Sequence, residues 1–143
     1  MRVRMGMIGG GEGSFIGPVH RMAARLDGMI ELVSGAFSSD PAVSEATGLK
    51  EGLAKERIYD TWQEMIEGEC QLPEGERPDF IAIVTPNHLH YGPARMAMEA
   101  GFDVLCDKPL CLSVAEAIDL HETVERTGRL FCLTHNYTGY PMI

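Results

Sequence analysis

Met5-Gly6-Met7-Ile8-Gly9-Gly10-Gly11-Glu12-Gly13-Ser14-Phe15-Ile16-Gly17 is the stretch on which the reading of this chain turns. A short apolar run gives way to glycine, and a helix-like pattern carrying Val19, Met22, Ala23 and Leu26 then runs to Gly28. Strand, glycine turn and helix in that order let backbone N–H groups and a helix N-terminus hold a pyrophosphate. Glycine suits such a turn because it accepts φ > 0 and puts no Cβ between backbone and phosphate. Gly9 and Gly11 have the first spacing of G-x-G-x-x-G, but Ser14 stands at the third position. Gly17 is the next glycine able to open the helix, so the turn is longer than the minimal motif. The residues placed against a phosphate are therefore Gly9, Gly11, Gly13, Ser14, Phe15 and Ile16. A tight loop without a ligand is the alternative, and the rest of the chain must decide between them.

The chain has 143 residues, 45% hydrophobic and 23% charged, which predicts one domain large enough to bury a core without staples. A net charge of −9 argues against nucleic acid or an anionic membrane as partner. No apolar run approaches the roughly 20 residues of a membrane helix and no cleavable signal pattern opens the chain, so the expected location is cytoplasmic. Cys70, Cys106, Cys111 and Cys132 have no C-x-x-C spacing. They read as reduced thiols, and a metal site built from Cys106, Cys111 and His88 or His90 lacks ligand spacing, so no metal is expected.

Outward from the glycine turn, strands and helices alternate. Val3 to Ile8 is the first strand, and Gly17 to Leu26 the helix after it. Arg21, in the first turns of that helix, opposes the helix dipole; it implies a nearby phosphate or carboxylate unless it is simply solvated, which is the plainer reading. Ile30 to Phe37 is a second strand, ended by Ser38-Ser39-Asp40-Pro41, with Asp40 as N-cap of a short helix reaching about Gly48. A dinucleotide's adenosine ribose is read at that strand end. Ser38 and Ser39 can bond either a ribose hydroxyl or a 2′-phosphate, which leaves NAD against NADP open. Arg57-Ile58-Tyr59 is predicted as a minimal third strand, and Thr61 to Glu64 as a capping box starting a helix to about Gly68. Asp79 to Val84 is the strongest strand, broken at Thr85-Pro86-Asn87, with a helix from about Tyr91 to Ala100 beyond His88 and His90. Phe102 to Cys106 is the fifth strand, broken at Asp107-Lys108-Pro109. A helix from Ser113 to Thr127 and a sixth strand, Leu130 to Leu133, follow, then Thr134-His135-Asn136-Tyr137. The fold class is α/β, a doubly wound parallel sheet of six strands with helices on both faces. In such sheets ligands lie outside the carboxyl ends of the strands, where the unusual polar residues of this chain fall.

The glycine turn, Thr85-Pro86-Asn87 with His90, and Asp107-Lys108-Pro109 one βα unit later together resemble the N-terminal NAD(P)-binding Rossmann domain of the glucose–fructose oxidoreductase / inositol dehydrogenase family. The resemblance covers essentially the whole chain. It implies hydride transfer between nicotinamide and a sugar or cyclitol hydroxyl, with Lys108 beside both and assisting proton removal. It implies that Thr85, Pro86, Asn87 and His90 line the nicotinamide-ribose side and that Asn136 lies near substrate. Asp107 stands where the family usually has Glu, and is short but able to bond the ribose. Pro109 is expected to hold its loop in a turn through a cis peptide bond. Family members continue into a second domain, an open sheet that binds substrate, forms the oligomer interface and carries the His of an Asp-x-x-x-His pattern. No equivalent pattern occurs here. Residues 1–135 are accordingly read as the dinucleotide-binding domain and 136–143 as the start of a connection, with Tyr137, Tyr140, Pro141 and Met142 exposed and disordered. The expectation is weak dinucleotide binding without turnover. A non-catalytic dinucleotide sensor of the same fold is the reading from another class, and a domain for another nucleotide is a third.

Overall fold

A run of buried apolar residues at Met5, Met7 and Ile8 places the first strand in the middle of a sheet rather than at its edge. The computed structural model describes residues 2–141, apart from the side chain of Thr138. The strands are β1 (Val3–Gly9), β2 (Ile30–Ala36), β3 (Phe80–Val84), β4 (Asp103–Cys106) and β5 (Phe131–Leu133). The helices between them are α1 (Ile16–Arg25), α2 (Pro41–Lys50), α3 (Trp62–Glu69), α4 (Tyr91–Glu99) and α5 (Val114–Thr127). All strand pairs are parallel, in the spatial order β2-β1-β3-β4-β5. The chain winds one way from β1 to β2 and the other way from β3 onward. This reversal opens a crevice between the carboxyl ends of β1 and β3.

Two apolar clusters cover the two faces. One gathers Met65, Ile66, Ile81, Ile83, Met98 and Phe102 beneath α3, α4 and α5. The other gathers Met5, Met7, Ala24, Phe37, Ala82 and Val84 beneath α1 and α2. Helix starts are fixed as the sequence predicts. Asp40 accepts from the Ala42 amide at 2.9 Å with Pro41 opening α2, and Thr61 with Glu64 and Ser113 with Glu116 form reciprocal capping boxes. Gly128 ends α5 at φ 65°.

Three expectations are corrected. The sheet among the described residues has five strands, not six. Arg57-Ile58-Tyr59 contributes only an isolated parallel bridge, Gly35 to Ile58, and one hydrogen bond from the Tyr59 amide to Gly35 O at 2.9 Å. Lys55–Arg57 instead winds into a 3-10 turn, which leaves too few extended residues for a ladder. The side chains there serve Glu69, whose buried carboxylate accepts from Arg57 Nε at 2.7 Å, Arg57 Nη2 at 2.5 Å and Tyr59 OH at 2.9 Å. On α1 the apolar residues at helical spacing do not face the sheet. Val19, Met22 and Leu26 are exposed, while Gly17, Arg21 and Ala24 face the sheet. The solvated reading of Arg21 fails with it. The third concerns the segment after β5. Asn136–Gly139 form a 3-10 turn in which the exposed Tyr137 and Tyr140 rings stand 5.7 Å apart, so the segment is exposed but holds local structure. Met142 lies outside the described residues.

Candidate functional site

The glycine turn leaves β1 with three residues at positive φ: Gly9 at 83°, Gly10 at 77° and Gly13 at 85°. It passes so close to α1 that a Cβ on Gly17 would sit 2.4 Å from both Cα and O of Gly10. Here glycine is required by contact as well as by φ. The Gly10–Gly11 peptide is tied at both ends. Its carbonyl oxygen accepts from Arg21 Nη1 at 2.7 Å, and the Gly11 amide donates to Phe37 O at 2.9 Å. The Glu12 amide donates to Thr47 Oγ1 at 3.0 Å and the Ser14 amide to Gly11 O at 3.0 Å. By helix geometry the amides at the start of α1 have no intrahelical acceptor, and Pro18 carries none. Ser14 Oγ is buried without a hydrogen-bond partner. An orphaned hydroxyl beside free first-turn amides fits an anionic oxygen, as a pyrophosphate supplies.

A cavity of about 490 Å³ opens over the reversal point, within the size range of small-molecule sites. Gly9, Gly11 and Ser14 wall it on the β1 side, Ser38 and Ser39 beyond β2, and Thr85 and Pro86 beyond β3. Trp62 and Gln63 complete the wall from the start of α3. They were not foreseen, because Thr61 to Glu64 read as a cap and nothing more. The charged groups on the wall are the carboxylates of Glu12 and Asp60. Lys50 Nζ lies 3.1 Å from Glu12 Oε1 and is engaged there.

The remaining candidates stand at the same edge of the sheet but off this cavity wall. Gly13, Phe15 and Ile16 lead into α1, and Phe15 is 87% exposed. Asn87 is exposed in a 3-10 turn after β3, and Asn136 is exposed in the one after β5. His90 is buried rather than presented at a surface. Its Nδ1 lies 2.6 Å from Pro109 O and its Nε2 2.9 Å from Thr85 O, so one ring joins the loops after β3 and β4. Asp107 donates its amide to Ile83 O at 2.9 Å and accepts from Thr134 Oγ1 at 2.5 Å. Lys108 follows, exposed, with no ion pair or hydrogen bond among the described residues, and the Lys108–Pro109 bond is cis. Burial holds His20, on α1, below the usual imidazole value, with the Asp107 charge opposing. The Cys106 thiol is pushed up to about 12, first by burial, then by Asp107 and Cys111. It is a buried core thiol. Among the described residues, no group of three or more His, Cys, Asp or Glu side chains is placed to hold a metal ion.

Comparison with known proteins matches residues 3–135 to an oxidoreductase family with an NAD-binding Rossmann fold. An oxidoreductase from Sinorhizobium meliloti is 48% identical in its crystal structure, with a TM-score of 0.91 over 99% of this chain and 39% of that one. An inositol dehydrogenase homolog from Azotobacter vinelandii, solved with NADH and myo-inositol, is 35% identical with a TM-score of 0.94, over 99% and 37%. The uncharacterized oxidoreductase YfiI of Bacillus subtilis (strain 168) is 33% identical over 142 residues, 99% of this chain and 36% of its own length. The chain thus spans little more than a third of the length of these relatives. With a parallel sheet reversing at a glycine turn, a buried unpartnered hydroxyl beside it and these matches, the chain belongs to the Gfo/Idh/MocA oxidoreductase family, as one of its NAD(P)-binding Rossmann domains.

Proposed function

We propose that this domain holds the dinucleotide of a dehydrogenase acting on a sugar or cyclitol, and that NAD is preferred to NADP. The observation that carries the reading is the shared edge. The glycine turn, Thr85 and Lys108 follow β1, β3 and β4, three adjacent parallel strands, and His90 ties the second loop to the third. The pyrophosphate lies on the turn and the start of α1, with Ser14 Oγ donating to it. The ribose of the adenosine half meets Ser38 and Ser39. A 2′-phosphate there would face Glu12 and Asp60 without an unpaired cation on the wall, which disfavours NADP. Thr85, Pro86 and Asn87 line the nicotinamide-ribose side, with the Asp107 carboxylate able to accept from a ribose hydroxyl. His90 serves that side from behind, by holding both loops.

When bound, nicotinamide supplies the hydride acceptor. Lys108 supplies a charge that no side chain among the described residues neutralises. Its ammonium hydrogen-bonds the substrate hydroxyl and stabilises the alkoxide that develops as the proton leaves. Asn136 lies near the substrate. The family resemblance implies that the rest of the substrate pocket, the oligomer contacts and the general acid/base come from a second domain, and the relatives are longer than this chain. Hydride transfer needs substrate and ring aligned at reacting distance. We therefore expect this stretch alone to bind cofactor without turnover. The fluorescence of NADH and NADPH titrated with the chain tests the reading. NADH binding and weaker NADPH binding support it. NADPH binding as tightly as NADH refutes the preference, and binding of neither refutes the site.

A further inference from the structure

We propose that Arg21 is a positioning residue that locks the phosphate-facing conformation of the glycine turn. The inference rests on the dinucleotide reading above. A helix packed on a sheet normally buries an apolar stripe, yet α1 leaves Val19, Met22 and Leu26 outside and turns Arg21 inward at 6% exposure. Burying a guanidinium is costly unless its charge and donors are met. Here Glu51 Oε1 lies 2.8 Å from Nε and meets the charge without a hydrogen bond to that atom, Gly10 O accepts from Nη1 at 2.7 Å, and the Phe37 ring lies 6.0 Å below. The arrangement reaches one peptide unit in the turn.

That unit joins Gly10 and Gly11. Glycine on both sides makes its plane easy to rotate, since neither residue carries a Cβ to oppose the flip. Released from its partner, this unit is free to turn its carbonyl oxygen toward the cavity, where it would repel a phosphate, and to draw the Gly11 amide off Phe37 O. Arg21 holds that oxygen away from the cavity, while Phe37 O holds the Gly11 amide. The guanidinium thus acts on the ligand through the backbone and does not touch it.

The test titrates the chain with ADP, NADH and adenosine, by nuclear magnetic resonance shift and by fluorescence, in wild type, Arg21→Met and Arg21→Lys. Loss of one charge-assisted hydrogen bond predicts about a tenfold loss of affinity for ADP and NADH in Arg21→Met. Adenosine, which has no phosphate, should stay within about twofold, and Arg21→Lys should recover most of the loss because its ammonium can still donate to Gly10 O. Equal losses for adenosine and ADP would make Arg21 a merely structural residue, and no loss for either would remove its role. If Arg21→Met does not fold, Glu51→Gln serves instead, since it weakens the anchor but keeps the guanidinium. A loss confined to the phosphate ligands supports the proposal and unchanged binding overturns it. Wild type that binds neither ADP nor NADH would sink the dinucleotide reading itself, whereas normal wild-type binding with an indifferent Arg21→Met sinks only this inference.

Discussion

Gly17→Ala is the substitution whose cost can be worked most directly from the structure. The added Cβ would stand 2.4 Å from Gly10 Cα, 2.4 Å from Gly10 O and 2.8 Å from Gly10 C. Ordinary carbon contacts lie near 3.5 Å, so α1 and the turn must part by about 1 Å. The atoms in the way are backbone, and the Gly10 carbonyl is held by Arg21, so no flexible side chain can swing aside. Overpacking of this kind costs about 2–3 kcal/mol, or roughly 8–12 °C in Tm for a domain of this size. The same retreat carries the first-turn amides of α1 from the phosphates, and NADH affinity should fall about tenfold. Gly13→Ala is the control. Its Cβ would meet nothing within 4 Å, so only the strain of φ +85° remains, about 1 kcal/mol. Urea unfolding and NADH fluorescence on both variants give the comparison. If Gly17→Ala proves no more damaging than Gly13→Ala in either assay, the close approach of helix and turn is not what the glycine serves.

Two further perturbations follow from groups away from the cavity. Glu69→Gln leaves the Arg57 guanidinium beside a neutral amide in a fully buried position, and unfolding by urea should show a loss of about 3 kcal/mol with NADH binding unchanged. Alkali should destabilise the fold through Cys106, whose buried thiol keeps its proton until about 12 while the unfolded thiol loses it near 9.0. The unfolded state then binds fewer protons, so stability is full below pH 9 and falls as pH rises toward 12. Burial, then its bond to Glu69, raises the Tyr59 phenol and acts in the same sense above pH 10. Urea midpoints between pH 8 and pH 11 should decline, and Cys106→Ala should decline less; equal slopes would remove Cys106 from the account.

What the sequence made legible was whatever depends on local chemistry. Apolar runs at Met5 to Ile8 and Ile81 to Val84 marked strands, and Asp40, Thr61 and Ser113 marked helix starts, because caps and alternation act over a few residues. The inward turn of Arg21 was not legible because helical periodicity names an apolar stripe without saying which stripe meets the sheet. Close approach of Gly17 to Gly10 decides that, and no periodicity encodes a contact between a helix and the turn before it. Arg57-Ile58-Tyr59 carried a strand's composition, but its side chains are committed to Glu69, twelve residues from Arg57 in the chain. Trp62 and Gln63 were invisible as site residues for a similar reason, since topology alone brings the start of α3 over the crevice. For His90 the motif named the right residue, yet only coordinates reveal a ring buried between two loop carbonyls.

Every functional assignment to these loops requires one dinucleotide to span the glycine turn and the loop bearing Lys108. Backbone amide shifts of the labelled chain titrated with NADH test it most directly. The largest changes are expected at Gly9 to Gly17, Ser38 and Ser39, Thr85 and Asn87, and Asp107 and Lys108, all saturating at one NADH concentration. Changes confined to the turn and Ser38, with Asp107 and Lys108 unmoved at saturation, would contradict it.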